Sequence, residues 1–257
     1  MIKAALHLHS TYSDGELTLA ELRTVLRDAG CELAWVTDHA EAFSRTSLAA
    51  YVAECERLSD DTFQFVAGLE FGCEDRMHVI GYGVTVLAET TDPQEVIGHV
   101  DRLGGVSVIA HPKDAHFDWI EGFAVLPQGI ETWNTKYDGR YAPRPATFAL
   151  LERLQARRPQ MRAFYGIDLH YRTQPRGLLT TITAPSRSRD DVLAALARGD
   201  FAGEHGALVL PSSGRLPADV LARFQRIDSR TGAVRRLAKR AARRIPAAVK
   251  RPLRRFV

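Results

Sequence analysis

Residues 7–15 read HLHSTYSDG and close an apolar run that starts at Ile2 and is interrupted only by Lys3. A strand over 2–8 ending in His7 and His9 points both imidazoles to one face, because strand side chains alternate with period two. Asp14, in the turn Ser13-Asp14-Gly15, returns a carboxylate to the same mouth. A lone HxH pattern is weak evidence, but the same grammar recurs along the chain. LAWVT ends in Thr37-Asp38-His39, and FQFVAGLEFG carries Glu70. MHVIGYG carries His78, VSVIAHP carries His111, and AFYGIDLH ends in Asp168 and His170, again two apart.

Outward from these stretches, β-branched and apolar runs predict strands at 2–8, 33–37, 63–71, 77–82, 106–110, 129–133, 163–167 and 178–183. Helical periodicity fills the intervals at 18–29, 46–58, 92–103, 144–157 and 189–198. The first helix opens on a capping box, Thr18 and Glu21, and the third on Asp92-Pro93. Alternating βα units predict an α/β fold around a mostly parallel sheet. Each candidate residue then falls at or just beyond the C-terminal end of a predicted strand, the rim on which barrel-like α/β folds assemble active sites. Nine N and O donors without a thiolate are too many for one tetrahedral zinc site. They suit two or three divalent metal ions such as Mn²⁺, Fe²⁺ or Zn²⁺.

Composition sets the limits. The 257 residues are 45% apolar and 25% charged, with 19 Gly and 12 Pro, which excludes disorder, collagen and coiled coil. Runs such as Val106–Ala110 have the length of buried strands, far short of the roughly 18–20 apolar residues that span a bilayer. Three cysteines, Cys31, Cys55 and Cys73, with no CxxC spacing predict neither a disulfide framework nor a thiolate zinc site, and fit a reducing compartment. The start lacks a secretory h-region before the histidines, so the chain is read as cytoplasmic.

The net charge of +3 is uneven. Thirteen of the 34 Lys and Arg fall in 223–257 against one of the 31 acids, leaving 21 bases and 30 acids in the first 222 residues, a net charge of −9. The composition breaks near 212–222, so the folded body is assigned to 1–211, with 212–257 as linker and basic tail. In that tail Val234, Leu237, Ala238, Ala241, Ala242 and Ile245 share a helical face opposite Arg235, Arg236, Lys239, Arg240, Arg243 and Arg244, up to Pro246. Three partners fit a basic amphipathic helix: the body itself, anionic lipid headgroups at the inner face of a membrane, or nucleic acid. The oligomeric state is left open.

Taken in order, HLHSTYSDG, VTDHA, GLEFG, MHVIGYG, IAHP and GIDLH resemble the successive motifs of the PHP (polymerase and histidinol phosphatase) superfamily, over about residues 1 to 185. The resemblance implies a distorted (β/α)7 PHP-type barrel, here with a basic C-terminal helical tail, and a trinuclear metal centre that hydrolyses phosphoesters. It also implies a ligand set: His7, His9, Glu70 and Asp168 for one metal, and Asp14, His39 and His170 for a second. Glu70 would bridge to a third, completed by His78 and His111.

Water on such ions has its pKa lowered toward ~7, so hydroxide is available at neutral pH. What the protein must add is positive charge for the phosphate oxygens. Arg172, Arg176, Lys113 and Arg76 are the candidates by proximity in sequence, and Glu70 and Arg172 are assigned to catalysis. His205 is a further candidate acid or phosphate ligand, and His116 a residue within reach of the rim, whereas His99 is expected on an exposed helix face. In GIETWNTKYDGRYAP, Glu131 ends a strand, Asn134 and Tyr137 are expected to line the pocket, and Trp133 is expected in the core.

The leading reading is a phosphomonoesterase for a small phosphorylated metabolite, a nucleotide or sugar phosphate. The alternative is a nucleic-acid-processing phosphodiesterase, such as a 5′-end exoribonuclease, holding polymer with its tail. A complete ligand set argues against a merely metal-stabilised binding module.

Overall fold

The structure is a computed structural model that describes residues 1–243 apart from Pro175, and only the backbone of 231–243. Strand β1 (Ile2–Leu8) is buried at every position except Lys3, as expected of a strand covered on both faces. It is central to a six-stranded sheet. To one side β1 runs parallel to β2 (Leu33–Val36), which is parallel to β3 (Gln64–Ala67). To the other it pairs antiparallel with β9 (Leu178–Ile182), followed by β10 (Phe201–His205) and β11 (Leu208–Pro211). A second sheet has the order β4 (Leu69–Gly72), β5 (His78–Tyr82), β6 (Val106–Ala110), β7 (Gly129–Asn134), β8 (Arg162–Gly166). In it β5 is antiparallel to both neighbours, and the last three strands are parallel.

Among the described residues, therefore, the strands make two sheets rather than the closed barrel expected from the resemblance. Two seams join the sheets by isolated contacts. At one, Ile167 N–H donates to Leu6 O (3.0 Å) and His9 N–H to Leu169 O (3.0 Å); at the other, Gly68 N–H donates to Val36 O (2.8 Å) and Glu70 N–H to Asp38 O (3.1 Å). The ladders break there for local reasons. His7 and Asp168 have φ of 62° and 53°, outside the β region, and the expected strand 63–71 divides at Gly68, where a Cβ would press on the carbonyl oxygen of Gly81.

The helices follow their signals. The Thr18–Glu21 capping box opens α1 (Leu19–Asp28), and Ser44 with Ser47 opens α2 (Arg45–Arg57). Asp92 caps α3 (Pro93–Arg102) with Pro93 in its first turn. A short helix α4 (Phe117–Glu121) was not anticipated; α5 (Pro145–Gln155) and α6 (Arg189–Arg198) were. Also unanticipated is the β10–β11 hairpin, turning at Gly206 with φ of 59°. Its second strand buries one side chain fully, Leu210, too few to leave an alternating pattern in the sequence.

Met1–Leu216 is one compact unit. An aromatic chain crosses its interior: Trp35 on β2 meets Tyr82 on β5 edge-on (5.3 Å), Tyr82 stacks on Phe164 of β8 (5.8 Å), and Phe164 meets Phe201 of β10 (5.0 Å). All four are buried, and each such pair adds about 0.5–1.5 kcal/mol beyond area burial. Beyond Leu216 the described backbone is one helix, α7 (Ala218–Arg243), which starts inside the stretch read as linker. The expected helical face at 234–245 lies on described backbone only to Arg243, and 244–257 fall outside the described residues. Among the described residues no helix is long and apolar enough to cross a membrane.

The turn carrying Asp14 depends on close backbone approach. Gly15 N–H donates to Ser10 O (3.0 Å), and a Cβ on Gly15 would collide with the His9 carbonyl. Gly15→Ala is expected to destabilise by about 1–3 kcal/mol, lowering the thermal midpoint by several degrees. An unchanged midpoint in a melting scan would contradict this packing.

Candidate metal centre

The strand ends deliver the nine candidate ligands, though not as simple alternation predicts. His7 lies in β1 with left-handed φ, and His111 (φ 28°) and Asp168 (φ 53°) follow β6 and β8 in the same unusual region. The i, i+2 argument for His7/His9 and for Asp168/His170 therefore fails, although the side chains do converge. Turned backbone, not pleat, brings the His7 and His9 rings to 5.2 Å of each other. His78 departs differently: it begins β5 rather than ending a strand. It reaches the rim because β5 runs antiparallel, setting His78 opposite Gly72 and Ala110.

Glu70 is the hub. Its Oε1 is 2.8 Å from His78 Nδ1 and 3.1 Å from His111 Nε2. Its Oε2 faces His9 Nε2 (3.1 Å), His7 Nε2 (3.4 Å) and His39 Nδ1 (3.5 Å). Asp168 Oδ1 lies 3.0 Å from His170 Nδ1 and 3.7–3.8 Å from the Nε2 atoms of His9 and His7. Asp14 Oδ1 lies 3.1 Å from His170 Nε2, 3.6 Å from His9 Nδ1 and 3.7 Å from His39 Nε2. Glu70, Asp168, His7, His9, His111 and His170 form a buried floor. The side chains of Asp14 (55% exposed), His39 (22%) and His78 (24%) form the side open to solvent.

Around this floor, other groups fix the ligands. Glu131, buried, accepts from His7 Nδ1 (2.8 Å), His111 N–H (2.9 Å) and Asn134 Nδ2 (2.9 Å). One carboxylate thus orients two candidate ligands, the arrangement that sets ring and tautomer in metal sites. A Cβ on Gly166 would strike this carboxylate, so glycine is needed there. Asp38 accepts from Ser10 N–H (2.7 Å), Ser10 Oγ (2.8 Å) and Ser13 Oγ (2.6 Å), pinning the loop that carries Asp14, while its burial raises its pKa.

Charge follows from these contacts. Burial disfavours ionised Glu70 and Asp168, but His7 and the ring hydrogen bonds outweigh it and hold both carboxyls well below their usual range. Burial drives His9 down to about 3, leaving its ring neutral. Burial likewise opposes charge on His170, yet Asp14 and Asp168 raise it to about 9. Three buried ring nitrogens, His7 Nε2, His9 Nδ1 and His9 Nε2, have no hydrogen-bond partner, which is costly for a polar atom sealed from water. His7 and His9 belong to three sets whose ligand atoms lie within 4.8 Å of one another, His9/Asp14/His39/His170, His7/His9/Asp168 and His7/Glu70/His111, and His39/Glu70/His78 form a fourth. With metal–donor bonds of about 2.0–2.2 Å, donors 3.1–3.8 Å apart are spaced as neighbours on one ion. The residues fit divalent metals. The Asp14/His39/His170 grouping implied by the resemblance recurs with His9 added, whereas His78 and His111 fall in separate sets with Glu70, one with His39 and the other with His7.

The candidate cations do not converge here. Arg172 donates to Glu21 (2.6 Å) on α1, Arg176 to the carbonyls of Arg172 and Gln174, and Lys113 to the carbonyl of Arg76 (2.9 Å). Asn134 is buried with its amide committed to Glu131 and Asp168 (3.1 Å), so it braces ligands rather than lining open space. His205 packs on Trp133 (5.1 Å), which is core as expected, and belongs to none of the donor sets. His116 sits against Trp119, outside those sets, and His99 bonds Val86 O (3.0 Å) instead of standing free. Tyr137 does flank the site, its ring 4.4 Å from that of His111. Two participants escaped the sequence reading: Glu131 as orienting carboxylate, and Lys136, whose Nζ is 3.3 Å from Asp168 Oδ1 and 3.0 Å from both His170 nitrogens. The one available signal was their place at the end of β7 and in the loop after it.

Metal ligation requires neutral imidazole. Below about 9, metal-free His170 carries a proton that a metal must displace. Loading Mn²⁺ or Zn²⁺ at pH 7.5 should therefore release at least one proton per chain, and affinity should rise with pH until it levels off above about 9. Calorimetry in buffers of different ionisation enthalpy measures this, and loading without proton release would contradict the charge assignment.

Comparison with known proteins identifies the fold and the family. PsfC from Pseudomonas syringae superposes with a TM-score of 0.59 at 15% identity, covering 88% of this chain and 98% of that one. A two-domain protein from Bacteroides vulgatus, described as containing a predicted PHP-like metal-dependent phosphoesterase, superposes with a TM-score of 0.55 at 17% identity, covering 88% and 69%. At such identities the likeness is one of fold. No curated protein matches the chain. The family model for the PHP domain matches residues 5–151, more than half of the sequence and seven of the nine candidate ligands; the chain belongs to the PHP domain family.

Proposed function

We propose that this protein is a metal-dependent phosphoesterase acting on the phosphomonoester of a small phosphorylated metabolite, a nucleotide or a sugar phosphate. The observation that carries the reading is Glu70, one buried carboxylate whose two oxygens face separate sets of imidazoles. Divalent ions bound there would act as Lewis acids and make hydroxide available near neutral pH. The chain's own part is to fix them. Glu131 orients His7 and His111, the sealed floor keeps bulk water from the inner donors, and Asp14, His39 and His78 leave one side open for substrate. Membership of the PHP family supports the same chemistry.

A small substrate is favoured by the net charge of −9 on the first 222 residues, which repels a long polyanion. The 13 cations of 223–257 favour the second reading, a nucleic-acid phosphodiesterase. Salt separates the two: affinity for a polymer held by many cations falls steeply with ionic strength, whereas affinity for one phosphate changes little.

The test is a panel of phosphorylated compounds with Mn²⁺-loaded protein, beside Glu70→Gln. Groups that only orient ligands are worth about 10–100-fold, so Glu70→Gln should lose bound metal and more than about 100-fold in kcat/KM. Full metal content with near-normal turnover in that variant would defeat the assignment.

A further inference from the structure

A phosphoester brings negative charge to a site already lined by Glu70, Asp168 and Asp14, and its transition state places that charge on the non-bridging oxygens. Protein cations must meet it. Arg172, Arg176 and Lys113 are engaged elsewhere. Among the described residues, Lys136 is the one Lys or Arg whose charged head forms an ion pair or hydrogen bond with a candidate ligand.

Its placement is built rather than incidental. Lys136 follows β7, and its backbone N–H donates to Asn134 Oδ1 (3.1 Å), while Asn134 Nδ2 donates to Asp168 Oδ2 (3.1 Å). Asn134 therefore ties the Lys136 backbone to the very carboxylate that the Lys136 head touches. That head lies between buried Asp168 and His170 on one side and solvent on the other, its side chain 24% exposed. Its Nζ is also 5.5 Å from the centroid of Tyr137, the ring beside His111. A compact ammonium on a flexible four-carbon stem can pass from Asp168 to an arriving oxyanion without moving its backbone.

We infer that Lys136 is the substrate-phosphate ligand of this site, contacting a non-bridging phosphoryl oxygen at its solvent-open side. The inference rests on the phosphoesterase reading. It assigns to the loop after β7 the part that sequence proximity gave to Arg172 and Arg176.

The test uses the full-length, Mn²⁺-loaded protein as wild type, Lys136→Met and Lys136→Arg. Metal content is measured by mass spectrometry, inorganic phosphate binding by calorimetry, and KM and kcat on p-nitrophenyl phosphate. Lys136→Met should keep the wild-type metal content, bind phosphate at least tenfold more weakly and show a raised KM. Lys136→Arg should recover most of the phosphate affinity, which a merely structural side chain would not require. Wild-type phosphate affinity in Lys136→Met would overturn the inference while leaving the phosphoesterase reading intact. So would loss of metal from Lys136→Met together with Lys136→Arg, which would make the residue a brace for Asp168 and His170. A loaded wild type that neither binds phosphate nor hydrolyses any phosphoester would bring down both.

Discussion

The site depends on one buried carboxylate surrounded by five imidazoles. Glu70 is buried, and His7, His111 and His78 outweigh the burial that disfavours its ionised form, while His9 and His39 also face its Oε2. Removing water from a charge costs several kcal/mol, which only close, opposite partners offset. The imidazoles in turn come from β1, β5 and the segments after β1, β2 and β6, so both sheets must be in register for the carboxylate to be tolerated. The fold is fastened where the chemistry is placed.

That fastening is strained. His7, His111 and Asp168 hold positive φ, at a cost of order 1–3 kcal/mol each. Such backbone persists where neighbours over-determine it. Glu131 holds the His7 ring and the His111 amide, Asn134 holds Asp168, and Leu169 N–H reaches back to His7 O (3.3 Å). The aromatic chain from Trp35 to Phe201 packs the interior between the sheets. The same left-handed residues that break the ladders into two sheets also turn the ligands inward.

Much of this could be read from residues alone. Apolar runs carrying His, Asp or Glu located the strands beside the candidate ligands, though not the division of 63–71 into β3 and β4, and cap residues located α1 and α3, because both signals are local. What failed was non-local. Pleat alternation gave the right convergence of His7 with His9 for the wrong reason, since positive φ at His7 leaves no mark in the sequence. His78 looked like a strand-end residue until β5 proved antiparallel. Arg172 lies two residues from His170, yet Glu21 on α1 holds its guanidinium. Lys136 is more than thirty residues from His170 and yet touches it, through a loop geometry set by Asn134. Proximity in sequence is a poor guide for long, flexible cations, whose partners are chosen by tertiary packing.

On the proposed reading, Glu70 joins two metal sites. Crystals grown with Mn²⁺ and measured on both sides of the Mn absorption edge test it most directly. Anomalous peaks are expected on both sides of the carboxylate, one within bonding distance of each oxygen, with His78 and His111 around one and His7 and His9 around the other. Full-occupancy metal bound elsewhere in the molecule, with no anomalous peak at either Glu70 oxygen, would contradict it.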